Sequence, residues 1–130
     1  MRLILAPKHK LTDAQNQHLS ERLADPEHQN DNGPIRVWDV YQNFLYAFIN
    51  KASGMPVAIA EASGHPRVPA WWIDSLFRGQ GLGNELVDLL ADQLKAEGVT
   101  AIGRIPIDTY LGNYNEASSK LAKRMHRHFE

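Results

Sequence analysis

Cysteine is absent from the chain, which excludes disulfides, thiolate metal sites and cysteine nucleophiles. Long apolar runs are missing too, so no segment reads as a membrane span. The start, Met1-Arg2-Leu3-Ile4-Leu5-Ala6-Pro7, is too short and too soon interrupted for a signal peptide. A soluble, cytoplasmic protein is therefore expected. Excess charge of one sign is lacking: the formal net charge of −1 gives no overall pull towards nucleic acid or acidic membranes. Six histidines occur, but none at H-x-x-x-H or H-E-x-x-H spacing. His126 and His128 are too close in sequence to share a helical face, so no metal site is expected. Repeats and low-complexity tracts are also absent. What remains is ordinary globular usage: 130 residues, 43% hydrophobic and 22% charged, enough for one domain with its own core.

Periodicity and turn chemistry order the elements. Residues 2–6 read as a first strand closed by Pro7. Thr12-Asp13-Ala14-Gln15 is a capping-box pattern opening a helix to about Ala24, with Leu19 and Leu23 one turn apart. Residues 25–34 (DPEHQNDNGP) form a long polar loop, and 35–40 read as either a strand or a helical turn. Two apolar runs, 44–50 and 55–62, flank Lys51-Ala52-Ser53-Gly54 and predict a hairpin. A strand follows over 68–77, then a helix over 82–97 with Leu86, Leu90 and Leu94 on one face. Gly98 followed by Val99 marks a Schellman ending. Residues 100–107 predict another strand and 116–129 a terminal helix carrying Ala117, Leu121, Met125 and Phe129 on one face. The order β-α-β-β-β-α-β-α is that of a mixed α/β sheet with flanking helices.

Arg78-Gly79-Gln80-Gly81-Leu82-Gly83 sits where a strand must turn into a helix. Glycine there permits positive φ and close approach to a ligand. The first turn of the helix adds amides without intrahelical partners and the positive end of the macrodipole. Two readings are open: an anion site for a phosphate or pyrophosphate, or a turn whose glycines merely permit tight packing. The dinucleotide fingerprint G-x-G-x-x-G is not met, because Asn84 holds the last glycine position, and no Gly-Lys-Ser/Thr P-loop occurs.

With Arg78, Gly81 and Gly83 in a Gln/Arg-x-x-Gly-x-Gly/Ala pattern and this element order, the sequence resembles the GNAT-type N-acetyltransferase superfamily. The resemblance implies that acetyl-CoA is the cosubstrate and that Arg78, Gly79, Gln80, Gly81, Leu82, Gly83 and Asn84 line its pyrophosphate. It places Trp71, Trp72 and Ile73 beside the pantetheine arm, in a strand whose backbone polarises the acetyl carbonyl. Strand alternation sends the two tryptophans to opposite faces, so one packs on a helix while the other borders the acceptor cleft. Asn115 stands where the family often contacts the cofactor arm, and equally reads as a helix N-cap.

Three departures accompany the resemblance. Ala122 occupies the position of the family's frequent tyrosine acid, so the proton donor is expected to be Tyr110, Tyr114 or water, or else catalysis is weak. Pro69 and Ala70 replace acidic residues on the glycine-loop strand, leaving Glu61 as the expected base and Asp74 as a lesser candidate. The family's two further strands after the last helix are not among these residues, so a second copy or another protein is expected to cover the edge at 100–107. The resemblance thus implies transfer of an acetyl group to an amine, of a protein or a small molecule. The 25–34 loop, with Asp25, Glu27 and Asp31, and Tyr41 and Tyr46 as walls, would select the acceptor. Its alternative is a weakly catalytic acetyl-CoA-binding regulatory protein acting through the sheet edge or the basic stripe Lys120, Lys123, Arg124 and Arg127 of the last helix.

Overall fold

Alternation of apolar side chains along the strands divides the core into two layers, one on each side of a sheet. The computed structural model describes residues 2–24, 44–105 and 116–130. In chain order they form β1 (Leu3–Pro7), α1 (Asp13–Leu23), β2 (Tyr46–Asn50), β3 (Pro56–Ser63), β4 (Val68–Ile73), α2 (Leu82–Ala96) and α3 (Glu116–Arg127). The sheet has the order β1-β2-β3-β4 with every neighbouring pair antiparallel. Leu3, Tyr46, Phe48, Ala58 and Ala60 face α2 and α3, meeting Leu86, Leu90, Leu94 and Met125. Ala47, Ile49, Ile59 and Trp72 face the other way, onto Leu19 and Leu23 of α1.

Local sequence signals account for most boundaries. The Thr12 hydroxyl accepts from the Gln15 amide at 3.1 Å, and the Gln15 side chain accepts from the Thr12 amide at 3.0 Å, completing the capping box. Gly54, at φ 71°, closes the β2–β3 hairpin with its amide donating to the Asn50 carbonyl at 2.8 Å. At the end of α2 the Gly98 amide donates to the Lys95 carbonyl and the Val99 amide to the Leu94 carbonyl, both at 3.0 Å, which is the expected Schellman pair.

The expected strand at 100–107 is corrected over its described part. Residues 100–105 make only a single parallel bridge, Ile102 to Arg67, together with the Gly103 amide donating to the Arg67 carbonyl at 2.8 Å. Close approach there depends on Gly103, whose added Cβ would lie 2.8 Å from Val68 Cγ2. Within the described residues the Ile105 amide donates to Nε2 of His126 on α3, at 3.4 Å. Among the described residues β4 is therefore the outer strand of the sheet. The 25–34 loop, the 35–40 segment and Tyr41 lie outside the described residues.

Helices α2 and α3 are joined by charge as well as by packing. Arg124 donates to both Asp88 oxygens, at 2.9 and 2.7 Å, and His128 Nε2 lies 2.7 Å from Asp88 Oδ1. The basic stripe of the last helix is thus partly engaged within the fold. The Arg124 guanidinium holds the Asp88 carboxyl at about 2, against an ordinary 3.8, and outweighs the opposing effect of partial burial. A carboxyl depressed in the folded state stabilises above its unfolded value and loses that contribution as pH falls towards its folded value. Wild type is therefore expected to exceed Asp88→Asn in stability near neutrality. Urea midpoints taken at successively lower pH should converge as pH falls from about 4 towards 2. A gap that persisted unchanged over that range would contradict the assignment.

Candidate functional site

Between β4 and α2 the chain makes a braced loop. Asp74, 1% exposed, ends β4 and caps the short 3-10 turn Ser75–Phe77, accepting from the Leu76 amide at 3.1 Å. Arg22 of α1 grips the same carboxylate, Nε to Oδ2 at 2.7 Å and Nη2 to Oδ1 at 2.8 Å. Asp74 is thus a structural anchor that ties α1 to the loop, a role distinct from the general base considered from sequence. Two loop side chains hold nearby carbonyls: Arg78 Nε donates to Ile73 O at the end of β4 at 2.9 Å and Gln80 Nε2 to Leu76 O at 3.2 Å.

Gly79 and Gly81 both sit at φ 78°, the left-handed region that glycine adopts without a Cβ penalty. Gly81 is the N-cap of α2 and supplies no side-chain cap, in contrast to Thr12 on α1. Gly81 thus offers no side chain to the first-turn amides of α2, which lie at the positive end of the helix. Space permits one: a Cβ at Gly79 would meet nothing within 4 Å, and Gly79, Gln80, Gly81 and Asn84 are all exposed. Gly83 has a different duty. A Cβ there would lie 2.9 Å from Leu121 Cδ1 and 3.6 Å from Ile73 Cδ1, so its bareness lets α3 and β4 close against the start of α2. The glycine run thus divides: Gly79 and Gly81 are exposed at positive φ, and Gly83 makes a tight contact.

The antiparallel register pairs Ala60 with Trp71 and Ile59 with Trp72. Trp72 is buried in the α1 layer, whereas Trp71 and Ile73 are only partly buried at the margin of the α2 and α3 layer. Leu82 sends its side chain into that core, so only its backbone is available to the loop. Glu61 is half-buried on β3 opposite Ala70. Tyr110, Tyr114 and Asn115 lie outside the described residues. Ala122 is buried in the main core. Tyr46, expected as an acceptor wall, is instead 5% exposed beneath α2, its hydroxyl donating to Glu97 Oε2 at 2.5 Å. Burial first, and then that bond to Glu97, raise its pKa. Among the described residues no group of acidic and histidine side chains could hold a metal ion.

Arg2 and Glu85 complete the site, and sequence reasoning missed both. The Glu85 carboxylate accepts from the Arg2 amide at 2.9 Å, the Leu3 amide at 3.2 Å and Arg2 Nε at 3.3 Å. Burial alone would push the Glu85 carboxyl up, but the bonds from Arg2 and Leu3 outweigh it and hold it below the usual range. Arg2 Nη2 in turn donates to the Gln80 carbonyl at 2.6 Å. An acidic residue in the first turn of α2 was the available signal; its partner, 83 positions earlier, carries none.

The acetyltransferase (GNAT) family model matches residues 11–126, a span that takes in the whole loop, α1, α2 and all but the last residue of α3. The chain belongs to the GNAT acetyltransferase family. Acetyl transfer is the activity class of that family, and the mixed α/β architecture agrees with it. A GNAT-like fold is also seen in a solved structure described as a candidate ribosomal-protein-serine acetyltransferase from Vibrio cholerae. It is 19% identical, covers 96% of this chain and 79% of its own, and superposes with a TM-score of 0.62. At that identity the likeness is one of fold. No curated protein matches the sequence. Among the described residues no helix is long and apolar enough to cross a membrane.

Proposed function

We propose that this GNAT protein is an N-acetyltransferase that binds acetyl-CoA with the diphosphate on the amides of residues 79–84. The observation that carries the reading is the α2 N-terminus, which opens at a left-handed glycine with no side-chain cap beside an unfilled loop. A diphosphate suits that arrangement, since several amides and the helix dipole converge on one anion. Arg78 and Gln80 act through the loop's shape, because their side chains are bonded to the carbonyls of Ile73 and Leu76. On this reading the outer edge of β4, with Trp71 and Ile73, is where the pantetheine arm would lie.

When bound, acetyl-CoA supplies an activated thioester that an acceptor amine attacks directly. The chain's part is to align the two and to polarise the carbonyl through backbone amides at the end of β4. Glu61, alone or through water, takes the amine proton, and Tyr110 or Tyr114 gives one to the leaving thiolate. Ala122 offers no such proton. The acidic residues of the 25–34 loop favour a cationic amine as acceptor.

Thiol release from acetyl-CoA across a panel of amines and peptides tests the proposal. Amine-dependent release that saturates in acetyl-CoA is expected. Coenzyme A binding without turnover on any amine, and with a stable protein partner, would favour the regulatory alternative.

A further inference from the structure

We infer that Arg2 is a positioning residue for the diphosphate loop, acting through the Gln80 carbonyl. The inference rests on the diphosphate reading of the loop and adds a residue to it. Arg2 precedes β1, on the far edge of the sheet from β4, yet its side chain reaches across the start of α2. Nη2 donates to the Gln80 carbonyl at 2.6 Å, while Nε and the Arg2 backbone amide are held by Glu85 at 3.3 and 2.9 Å. The guanidinium is therefore fixed at both ends of its fork, despite a side chain 53% exposed.

The consequence follows from peptide geometry. In a trans peptide the carbonyl and the following amide point in opposite directions. Pinning the Gln80 oxygen towards Arg2 thus points the Gly81 amide the opposite way within that peptide plane. Gly81 and Gly79 are both at φ 78°, with no β-carbon to restrict either peptide, so the loop has little internal resistance to a flip of this plane. Arg2 supplies from outside the restraint that glycine cannot supply from within. Glu85 makes the restraint stiff by holding the guanidinium to the helix whose amides it helps to aim.

The test compares wild type, Arg2→Met and Arg2→Lys by calorimetric titration with coenzyme A, alongside melting curves and the Gly81 amide resonance of the free proteins. Arg2→Met is expected to weaken coenzyme A about tenfold, a loss of one oriented hydrogen bond. Its Gly81 resonance should move before any ligand is added. Arg2→Lys, which retains a donor for the Gln80 oxygen, should recover most of both. Melting should change little, because exposed ion pairs contribute little stability. The deficit should persist at about 0.5 M salt, where simple attraction between exposed charges is screened. Equal affinities in wild type and Arg2→Met, an unmoved Gly81 resonance, or a deficit that vanishes at high salt would each overturn the inference while leaving the diphosphate reading intact. Failure of wild type to bind coenzyme A would overturn both.

Discussion

Gly81→Val is expected to lower coenzyme A affinity about 100-fold while the protein stays folded. Space is not the obstacle, since a Cβ at this position would meet only Arg2 Nη2, at 3.4 Å and at the end of a flexible side chain. Conformation is. The residue sits at φ 78°, where a β-branched side chain is a steric outlier costing about 1–3 kcal/mol. The loop would relieve that strain by leaving its present path, carrying the first-turn amides of α2 out of register with any anion. Gly81→Asn provides the control, because asparagine tolerates the left-handed region. It should lose less than about tenfold. Calorimetric titration with coenzyme A separates the cases, and wild-type affinity in Gly81→Val would contradict the cradle.

The second large effect is on stability. Asp74→Ala removes a carboxylate that is 1% exposed and accepts from two Arg22 nitrogens and from the Leu76 amide. Breaking a buried pair from one side leaves a charge where water cannot fully replace its partner, at a cost of about 3 kcal/mol. For a domain of this size the melting midpoint should fall by about 10 °C. Asp74→Asn, which keeps the volume and a cap for the 3-10 turn, should lose less. A melting shift under about 2 °C for Asp74→Ala would show that the pair does not anchor α1 to the loop. Because the same turn leads into the glycine loop, coenzyme A affinity is expected to weaken along with stability.

The contrast between these two sites shows what the sequence could reveal. Short-range signals were legible because cause and effect lie within a few residues. Thr12 and Gln15 cap each other, Gly54 turns a hairpin, Gly98 and Val99 close α2, and the glycines between β4 and α2 mark a strand-to-helix turn. Alternation also separated Trp71 from Trp72, since a strand has only two faces. Over 100–105 the apolar pattern misled because a strand needs a ladder as well as a pattern. Here the Ile105 amide goes to His126, and a single bridge at Ile102 remains among the described residues.

Long-range polar pairs were the least legible. Arg22 with Asp74 spans 52 positions and Arg2 with Glu85 spans 83, and neither leaves a periodic trace. Tyr46 reads from sequence as an acceptor wall, yet Glu97, 51 positions later, gives its hydroxyl a partner at the edge of the core and lets the ring enter it. The glycine loop was therefore visible from sequence, while the side chains that brace it were not.

The most direct measurement is a titration of coenzyme A into the isotope-labelled protein, following the backbone amides of residues 79–84. Saturable shifts concentrated on that group, with Gly81 among the largest, are the predicted result. Coenzyme A that fails to bind, or that binds while those amides stay unmoved, would contradict the diphosphate cradle and the transfer chemistry built upon it.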